Sequence, residues 1–222
     1  MNTDSFTGLD RSLIRLNLNG IGLATFPIEI AASFRKLRQI ELDDNKITSL
    51  PADLLKDFLT SFQKFRISLK NNRLTTIDPR AFSTARLRLE SVDLQNNKLT
   101  SIGFLADPCS LAFTLESYVN VQHNRINCDC DTYSVIVTEY VHIGGRCAKP
   151  SRYSGYLLNP LIDSRFEIEA ASECSHVNIT SVVTCERDYT SDGYKSSVTV
   201  TLCVVCSIFV IISTKSWTNS IY

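Results

Sequence analysis

A pattern of alternating apolar and polar residues recurs along the first half of the chain. It is seen in the segments LRQIELDDNKITSL, KFRISLKNNRLTTI and LESVDLQNNKLTSI, which begin at residues 37, 64 and 89. Alternation with a period of two residues is typical of a short strand with one buried face. The pattern therefore predicts one strand in each segment, followed by a turn at the shared asparagine.

Two further segments fit the same frame. One is ESYVNVQHNRIN (116–127), and the other is LIRLNLNGIGLATF (13–26), which has Ile21 where the others have asparagine. Successive repeats lie 24, 27, 25 and 27 residues apart, counted at Leu18, Leu42, Leu69, Leu94 and Val121. This is the period of leucine-rich repeats. We therefore expect an α/β leucine-rich repeat solenoid of about five repeats over residues 13–123, with short parallel strands on its concave face.

The alternation also assigns a face to each side chain. Stacked repeats should bury the apolar strand positions in a core that no single repeat could close: Leu16, Ile40, Ile67, Val92 and Val119. The asparagines after the strands can satisfy buried turn amides and carbonyls: Asn45, Asn72, Asn97 and Asn124. Ile21 cannot do so, and we expect the first repeat to be frayed or atypical. Phe34, Phe58 and Phe82 are expected to anchor the outer, convex segments.

Polar strand residues must point away from this core and form rows across the repeats. Neighbouring strands are about 4.8 Å apart, which predicts that Asp43 and Lys70 are adjacent. The candidate ligand-binding residues on this face are Arg15, Glu41, Asp43, Arg66, Lys70, Asp93 and Tyr118. Mixed charge with an aromatic residue at one end is typical of a protein-binding surface. The alternative is a set of ordinary solvated cross-strand pairs.

The cysteines are unevenly placed, since all eight except Cys109 lie at or after residue 128. The cluster of five from Cys128 to Cys185 indicates a local disulfide framework and an oxidising compartment. A zinc site or a set of buried thiols is the alternative. It is less favoured because Cys-x-Cys is a poor tetrahedral clamp and no histidine falls at ligand spacing. The N-terminal residues lack the pattern of a cleavable signal peptide, which argues against secretion.

Residues 124–174, which contain CDC followed by two further cysteines and a proline shortly after the third, resemble a known cap. They are similar to the C-terminal cysteine-rich flanking domain of extracellular leucine-rich repeat proteins, and the resemblance covers residues 13–174. It implies disulfides Cys128–Cys147 and Cys130–Cys174. Such a cap covers the apolar end of the last repeat, which would otherwise face water.

The rest of the chain predicts an anchor. Residues 175–195 are rich in Ser, Thr and charge and predict a stalk, with an N-glycosylation acceptor at Asn178. Residues 196–214 carry no charge, and a helix of that length spans about 28 Å. We expect one transmembrane helix there and a cytoplasmic tail at 215–222. The alternatives are a buried β-branched strand and a cleaved glycolipid-anchor signal. Residues 1–12 are an N-terminal remnant or an atypical cap.

Composition and motifs narrow the function. The 23 Lys and Arg residues balance the 23 Asp and Glu residues, and no basic segment suggests a nucleic-acid partner. The sequence has no GxSxG, P-loop or HExxH motif, and we expect neither an enzyme nor a cofactor nor a metal.

The expected function is that of a membrane-anchored adhesion molecule or signalling co-receptor. It would be a single-pass protein of the plasma membrane with its repeats outside, anchored in the lipid bilayer and bound to an extracellular or cell-surface protein. One alternative is an intracellular scaffold with reduced cysteines, which the missing signal peptide would fit. Another is an N-terminally incomplete ectodomain.

Overall fold

The computed structural model describes most of the chain in two compact units, residues 1–174 and 175–222. The described residues are 8–9, 11–56, 58, 64–83, 88–106, 113, 116–137, 141–159, 162–175, 182–189, 194–201 and 210–212.

Short strands dominate the first unit. In chain order its elements are β1 (Arg15–Asn17), α1 (Ile28–Ala32), β2 (Gln39–Glu41), β3 (Ser49–Leu50), β4 (Lys64–Ser68), β5 (Thr76–Ile77), β6 (Arg88–Asp93), β7 (Tyr118–Asn120), β8 (Ile126–Asn127), α2 (Cys130–Ile136), β9 (His142–Gly144), β10 (Cys147–Lys149) and α3 (Arg165–Glu173). Single 3₁₀ turns lie at Gly103–Leu105 and Ser151–Tyr153.

Six of these strands form one parallel sheet in the order β1-β2-β4-β6-β7-β9. The register aligns one apolar residue from every strand in a buried row: Leu16, Ile40, Ile67, Val92, Val119 and Ile143. The first five members of this row confirm the predicted strand of each repeat. The sixth strand, β9, belongs to the cap and was not predicted. The described part of this unit also contains two smaller parallel pairs, β3 with β5 and β8 with β10.

A ladder of buried asparagines joins successive repeats. The side-chain oxygen of Asn72 accepts a hydrogen bond from the backbone amide of Ile47 at 3.1 Å. Its nitrogen donates to the carbonyls of Leu42, Leu69 and Lys70. The equivalent bonds are made by Asn45, Asn97 and Asn124. The prediction that these carboxamides satisfy turn amides and carbonyls is confirmed.

The first repeat is ordered although Ile21 replaces its asparagine. β1 pairs with β2 over all its residues. The backbone amide of Leu23, in the first turn, donates to the side-chain oxygen of Asn45 at 2.9 Å. Each asparagine oxygen therefore accepts a hydrogen bond from a backbone amide in the turn of the preceding repeat. The second repeat thus supplies the acceptor for the first turn. The expected fraying is absent for this reason, while Ile21 is 50% exposed.

In the turn that follows the main strand of each repeat, one residue adopts the left-handed backbone conformation. This residue is Gly20 in the first repeat and then Asp44, Asn71, Asn96 and His123. A left-handed residue with a side chain costs roughly 1–2 kcal/mol, and Gly, Asn, Asp and His are the types that tolerate it best. Asn96 donates to Asn71, and Asn71 donates to Asp44, both at 2.8 Å. The polar residue before each buried asparagine is therefore required by the turn.

Aromatic side chains fill the space between the sheet and the convex segments. Phe34, Phe58 and Phe82 are at most 1% exposed, which confirms them as inward anchors. The ring of Phe82 packs against those of Phe104 and Phe113, with centroids 5.9 and 5.4 Å apart. The core therefore continues from repeat to repeat between the sheet and the convex segments.

Two disulfides and apolar packing hold the C-terminal cap together, and its strand β9 pairs with β7 of the last repeat. Disulfides join Cys128 to Cys147 and Cys130 to Cys174, with Cα atoms 5.5 and 5.3 Å apart. These are the pairs that the resemblance implies. The amide of Thr132 in α2 donates to the carboxylate of the N-cap residue, Asp129, at 3.0 Å. In α3, the buried residues are Phe166 and Ala170.

The second unit is an antiparallel sheet of β11 (Val182–Tyr189), β12 (Tyr194–Thr201) and β13 (Val210–Ile212). β11 and β12 pair continuously from Val182 opposite Thr201 to Tyr189 opposite Tyr194. Part of the predicted stalk at 175–195 is therefore a strand. The glycosylation acceptor Asn178 and the predicted tail at 215–222 lie outside the described residues.

The segment predicted as a transmembrane helix, 196–214, has strand structure wherever it is described. Its first part lies in β12 and residues 210–212 form β13. Among the described residues, no helix has the length and hydropathy needed to cross a bilayer. The physical reason for the strands is the density of β-branched Val, Ile and Thr, which favours extended backbone. Residues 202–209 and 213–214 of the segment lie outside the described residues.

Candidate ligand-binding surface

The parallel register places the outward-facing strand residues in two rows on one face of the sheet. The first row is Arg15, Gln39, Arg66, Ser91, Tyr118 and His142. The second row is Asn17, Glu41, Ser68, Asp93, Asn120 and Gly144. Over five repeats these rows agree with the alternation of the sequence. The positions of His142 and Gly144 in these rows could not be predicted from the sequence, because the cap strand is not followed by a repeat asparagine.

A third row lies just beyond the ends of the strands and has a structural role. Its backbone amides donate to side-chain oxygens at 2.7–3.1 Å: Asn19 to Asn17, Asp43 to Asn19, Lys70 to Asp43, Gln95 to Asp93 and Gln122 to Asn120. Amides at strand ends have no ladder partner, and short polar side chains supply one. Asp43 and Asp93, both ligand-binding candidates, therefore hold the backbone in place.

Lys70 forms its ion pair with a different residue from the one predicted. Its ammonium lies 3.7 Å from the carboxylate of Asp93 in the following repeat. The Asp43 carboxylate instead accepts from the Ser68 hydroxyl at 2.6 Å and from the Lys70 backbone amide at 2.9 Å. The predicted adjacency is correct for the backbone, but the Asp43 carboxylate is turned towards the strand end.

Hydrogen bonds between side chains cross the first two strands. Arg15 donates through Nε to Gln39 at 2.9 Å, and Gln39 donates to Glu41 at 2.7 Å. The second Glu41 oxygen accepts from Asn17 at 2.8 Å. This network orders the Arg15 guanidinium and leaves it exposed to solvent.

A bulge brings an unexpected carboxylate to the same face. Phe65 pairs with Leu89 and Arg66 pairs with Ser91, which leaves Glu90 as an extra residue in β6. Bulges re-aim side chains in this way. Glu90 accepts two hydrogen bonds from the Arg66 guanidinium, at 3.0 and 2.7 Å, and these bonds lower the pKa of Glu90.

A second ion pair spans a whole repeat. The Lys64 ammonium in β4 lies 2.9 Å from the carboxylate of Glu116, which precedes β7. This hydrogen bond raises the pKa of Lys64 and lowers the pKa of Glu116. Both side chains are largely exposed, and the pair contributes little to stability. The pair places one positive and one negative charge at the edge formed by the N-terminal ends of the strands.

An exposed aromatic residue lies at the cap end of the first row. The Tyr118 side chain is 41% exposed and contacts Gly144 on β9. His142, opposite Tyr118, is exposed, and His123 contacts Gln95 at 3.2 Å. Large aromatic side chains with one exposed face are frequent anchors of protein interfaces.

A shallow depression of about 450 Å³ lies near the N-terminal ends of β1, β2, β4 and β6, away from the cap. Ile14, Arg15, Arg38, Lys64, Arg66 and Glu90 line it together with Gln39. Four of these side chains are cationic and one is anionic. The sequence predicts Arg15 and Arg66 at this face, whereas Arg38 and Lys64 precede the alternating positions and carry no such signal.

Within the described ranges, no group of three or more His, Cys, Asp and Glu side chains is arranged to hold a metal ion. The surface offers hydrogen-bond donors, cations and one aromatic ring, which suit recognition of another molecule.

Known proteins share the repeat architecture. No protein-family model matches the chain. It is 34% identical to chaoptin of Drosophila melanogaster over 146 residues, which cover 55% of this chain and 11% of chaoptin. It is 30% identical to leucine-rich repeat-containing protein 3B of Homo sapiens over 96 residues, 43% of this chain and 34% of that protein. The chain thus spans about a tenth of the length of chaoptin and about a third of the length of leucine-rich repeat-containing protein 3B.

Solved structures show the same fold. A chain from the octameric complex of Latrophilin 3, Unc5D and FLRT2, where FLRT2 is the leucine-rich repeat component, superimposes with a TM-score of 0.50 and 22% identity over 71% of this chain and 48% of that chain. Human trophoblast glycoprotein (5T4) superimposes with a TM-score of 0.48 and 26% identity, over 66% of this chain and 55% of that chain. The repeat frame, the asparagine ladder and the parallel sheet define this chain as a leucine-rich repeat protein with disulfides.

Proposed function

We propose that the protein is a cell-surface ectodomain that binds another protein through the exposed face of its six-stranded sheet, as an adhesion molecule or a signalling co-receptor. The observation that carries the proposal is the row of exposed side chains from Arg15 to His142, held in fixed register by the strands beneath. Because the strands fix the backbone positions of this row, little backbone entropy is lost on binding.

The proposed contact residues differ from the full set of sequence candidates. Arg15, Arg66 and Tyr118 are exposed and lie in the first row. Asp43, Lys70 and Asp93 support this row through the strand-end bonds and the ion pair between Lys70 and Asp93. Glu41 accepts two hydrogen bonds and orders its neighbours. The ligand would then contact the row at Arg15, at Arg66 near its centre and at Tyr118 near the cap.

Binding is tested with the full-length chain displayed on cells and a library of soluble ectodomains of cell-surface proteins. For any ectodomain that binds, the triple variant Glu41→Ala, Arg66→Ala, Tyr118→Ala should bind at least about tenfold more weakly, since exposed aromatic and Arg anchors dominate such interfaces. Its melting temperature should stay nearly unchanged, because none of the three side chains is in the core.

The matched control is the pair Lys56→Ala and Arg80→Ala, two exposed cations in the convex segments. This control should bind the same ectodomain as well as the parent chain. If the control lost more affinity than the triple variant, binding through the sheet face would be disproved.

The proposed location is outside the cell. Disulfides persist in oxidising compartments and are rare in the cytosol, and both bonds of the cap pair cysteines that are at most partly exposed. Intact mass should rise by about two daltons per bridge on reduction. Free thiols at all four cap cysteines in protein from the cell surface would contradict this location and favour an intracellular scaffold.

The proposal includes a membrane anchor at residues 196–214, supported by their lack of charge between Lys195 and Lys215. In a bilayer this segment has to be helical, because a lipid-exposed backbone must satisfy its own hydrogen bonds. The strand pairing of Tyr194–Thr201 would have to be replaced by this helix on insertion.

Carbonate washing of membranes tests the anchor. The full-length chain should stay in the membrane pellet, and a chain that ends at Lys195 should appear in the medium. Val205→Lys, which places a charge at the centre of the segment at a cost of about 2.5–3.5 kcal/mol, should also be released. Release of the unmodified full-length chain by carbonate would show that the segment does not anchor it.

A further inference from the structure

The shallow depression at the N-terminal edge of the sheet has the chemistry of an anion site. It crosses β1, β2, β4 and β6, and its lining contains Arg15, Arg38, Lys64 and Arg66. We propose that it binds a short acidic segment of the protein partner, with carboxylates against Arg15 and Arg38 and an aliphatic side chain against Ile14. This inference rests on the proposed function and adds the chemistry of the partner.

The depression matches a peptide in length. Three strand spacings of about 4.8 Å give about 14 Å, which is the length of about four residues of extended chain. A peptide lying across the strands would therefore present two or three side chains to the lining.

The site contains an internal example of the proposed interaction. Arg66 holds the Glu90 carboxylate with two hydrogen bonds, at 3.0 and 2.7 Å. This forked geometry is the mode in which Arg binds carboxylates. Arg15 lies in the same row two strands away, and its Nε already donates to Gln39, which orients the guanidinium. The guanidinium is thus ordered before a ligand arrives.

An apolar contact lies beside the cations. The Ile14 side chain is 51% exposed, although its backbone carbonyl accepts hydrogen bonds from the amides of Arg38 and Gln39 at 2.8 and 3.2 Å. An exposed isoleucine on an ordered backbone offers a binding surface for a leucine or valine side chain. The depression therefore pairs charge recognition with a small hydrophobic contact, which is the combination that an acidic peptide can satisfy.

Neighbouring carboxylates argue against a uniformly charged polyanion such as a sulfated glycan. Glu90 lies in the depression, and Glu116 is paired with Lys64 at its edge. Glu41 lies on β2, two residues after Gln39 of the lining. A continuous polyanion would meet these three charges, and like charges repel. A peptide with two acidic residues and an aliphatic residue can place its charges on the arginines alone.

Fluorescence anisotropy on the full-length chain in detergent tests the proposal. The first probe is a fluorescein-labelled peptide in which two glutamates and one leucine occupy every second position of a Gly-Ser frame, so that all three side chains of the extended chain face the same side. The second replaces both glutamates by glutamine, and the third is a labelled heparin octasaccharide. The acidic peptide should bind at least about tenfold more tightly than the glutamine peptide, and added salt should weaken it.

Two double variants with the same loss of charge separate the site from general electrostatics. Arg15→Gln with Arg38→Gln should weaken the acidic peptide about tenfold or more. Lys46→Gln with Arg73→Gln, two exposed cations outside the depression, should leave binding unchanged. Thermal unfolding should be alike in both, because all four side chains are exposed.

Three results would overturn the inference: no binding of the acidic peptide up to about 1 mM, equal losses in the two double variants, or preferential binding of the octasaccharide. An ectodomain found in the cell-surface screen gives a further check. If it bound the Arg15→Gln, Arg38→Gln chain as tightly as the parent chain, the acidic-segment site would be wrong while protein binding by the sheet face remained intact.

Discussion

The side chain of Tyr118 lies over Gly144, in the space that a Cβ atom on that glycine would occupy. Tyr118 belongs to the last repeat and Gly144 to the cap strand, and the two strands are paired in the sheet. The cap therefore sets the position of the most exposed aromatic ring on the proposed binding face.

Gly144→Ala should displace the Tyr118 ring without unfolding the protein. The glycine has an ordinary backbone conformation, and the group in the way is the flexible end of a side chain. Stability should fall by less than about 1 kcal/mol, while affinity for a protein ligand should fall as in Tyr118→Ala. Chemical denaturation and binding titrations measure the two effects. Unchanged affinity in Gly144→Ala would mean that the ring position does not matter.

Asn72→Ala should be strongly destabilising. It leaves the buried amide of Ile47 without its acceptor. It also removes one of two hydrogen bonds at the carbonyls of Leu42, Leu69 and Lys70, which keep their bonds from Asn45, Asn97 and the Asp44 amide. A buried unsatisfied group costs about 1–3 kcal/mol, and we expect a total loss of about 3 kcal/mol in urea denaturation. The control Arg73→Ala, at the exposed next residue, should change stability by less than about 0.5 kcal/mol. A similar small effect in both variants would contradict the role of the ladder.

Asp43 should matter for stability before it matters for binding. Its carboxylate accepts from the Lys70 amide and the Ser68 hydroxyl. Asp43→Ala should lose about 1–2 kcal/mol, whereas Asp43→Asn retains an acceptor oxygen and should lose less. Melting curves of the two variants compare them directly. Equal melting temperatures for Asp43→Ala and the parent chain would return Asp43 to the ligand-contact set.

The left-handed position after β6 can be tested at Asn96. Asn96→Gly should be nearly neutral, within about 0.5 kcal/mol, because glycine adopts this conformation without steric cost. Asn96→Val should lose about 1–2 kcal/mol or more, since a β-branched residue tolerates it poorly. Denaturation midpoints of the pair decide the matter. If valine were tolerated as well as glycine, the backbone account of the polar row would fail.

Acid should weaken the start of α3 through Asp163. Its carboxylate accepts from the Arg165 guanidinium and from the amides of Leu157 and Arg165, and these bonds hold its pKa well below the ordinary value. A lowered carboxyl pKa stabilises the fold above the unfolded-state value, about 3.9, and this contribution is lost as the pH falls towards the folded-state value.

The measurement for Asp163 is stability as a function of pH in the parent chain and in Asp163→Asn. The parent should lose more stability than the variant between about pH 4 and pH 2. Parallel curves for the two proteins in this range would show that Asp163 is not responsible.

The sequence predicted the features of this fold that depend on local alternation. The buried row through Ile40 and Ile67 and the ladder through Asn72 follow from a frame that recurs in each repeat. The partner of Lys70 could not be predicted, because side-chain direction at the strand end depends on which backbone amide lacks an acceptor. Glu90 was hidden by the bulge, which shifts β6 by one residue within a repeat of normal length.

The sequence also contains a signal for the second unit. Asp192 and Gly193 lie between VVTCERDY and YKSSVTVT, and this dipeptide is common in hairpins. The uncharged run at 196–214 is compatible with strands as well as with a membrane helix, and the lack of charge does not distinguish them. β9 offered a weaker signal, because a strand of His, Ile and Gly is too short to show alternation. Its place in the sheet depends on the disulfides and α2, which bring it beside β7.

The direction of the asparagine ladder has a consequence for synthesis on the ribosome. The amide of Leu23 donates to the side-chain oxygen of Asn45, which is made later, and the amide of Ile47 donates in the same way to Asn72. A nascent repeat therefore has an incomplete turn until its successor has left the exit tunnel. Because chains emerge at about 5–20 residues per second, each repeat waits a second or more. Ribosome stalling after one repeat would leave the repeat before it complete and the newest one open to chaperones.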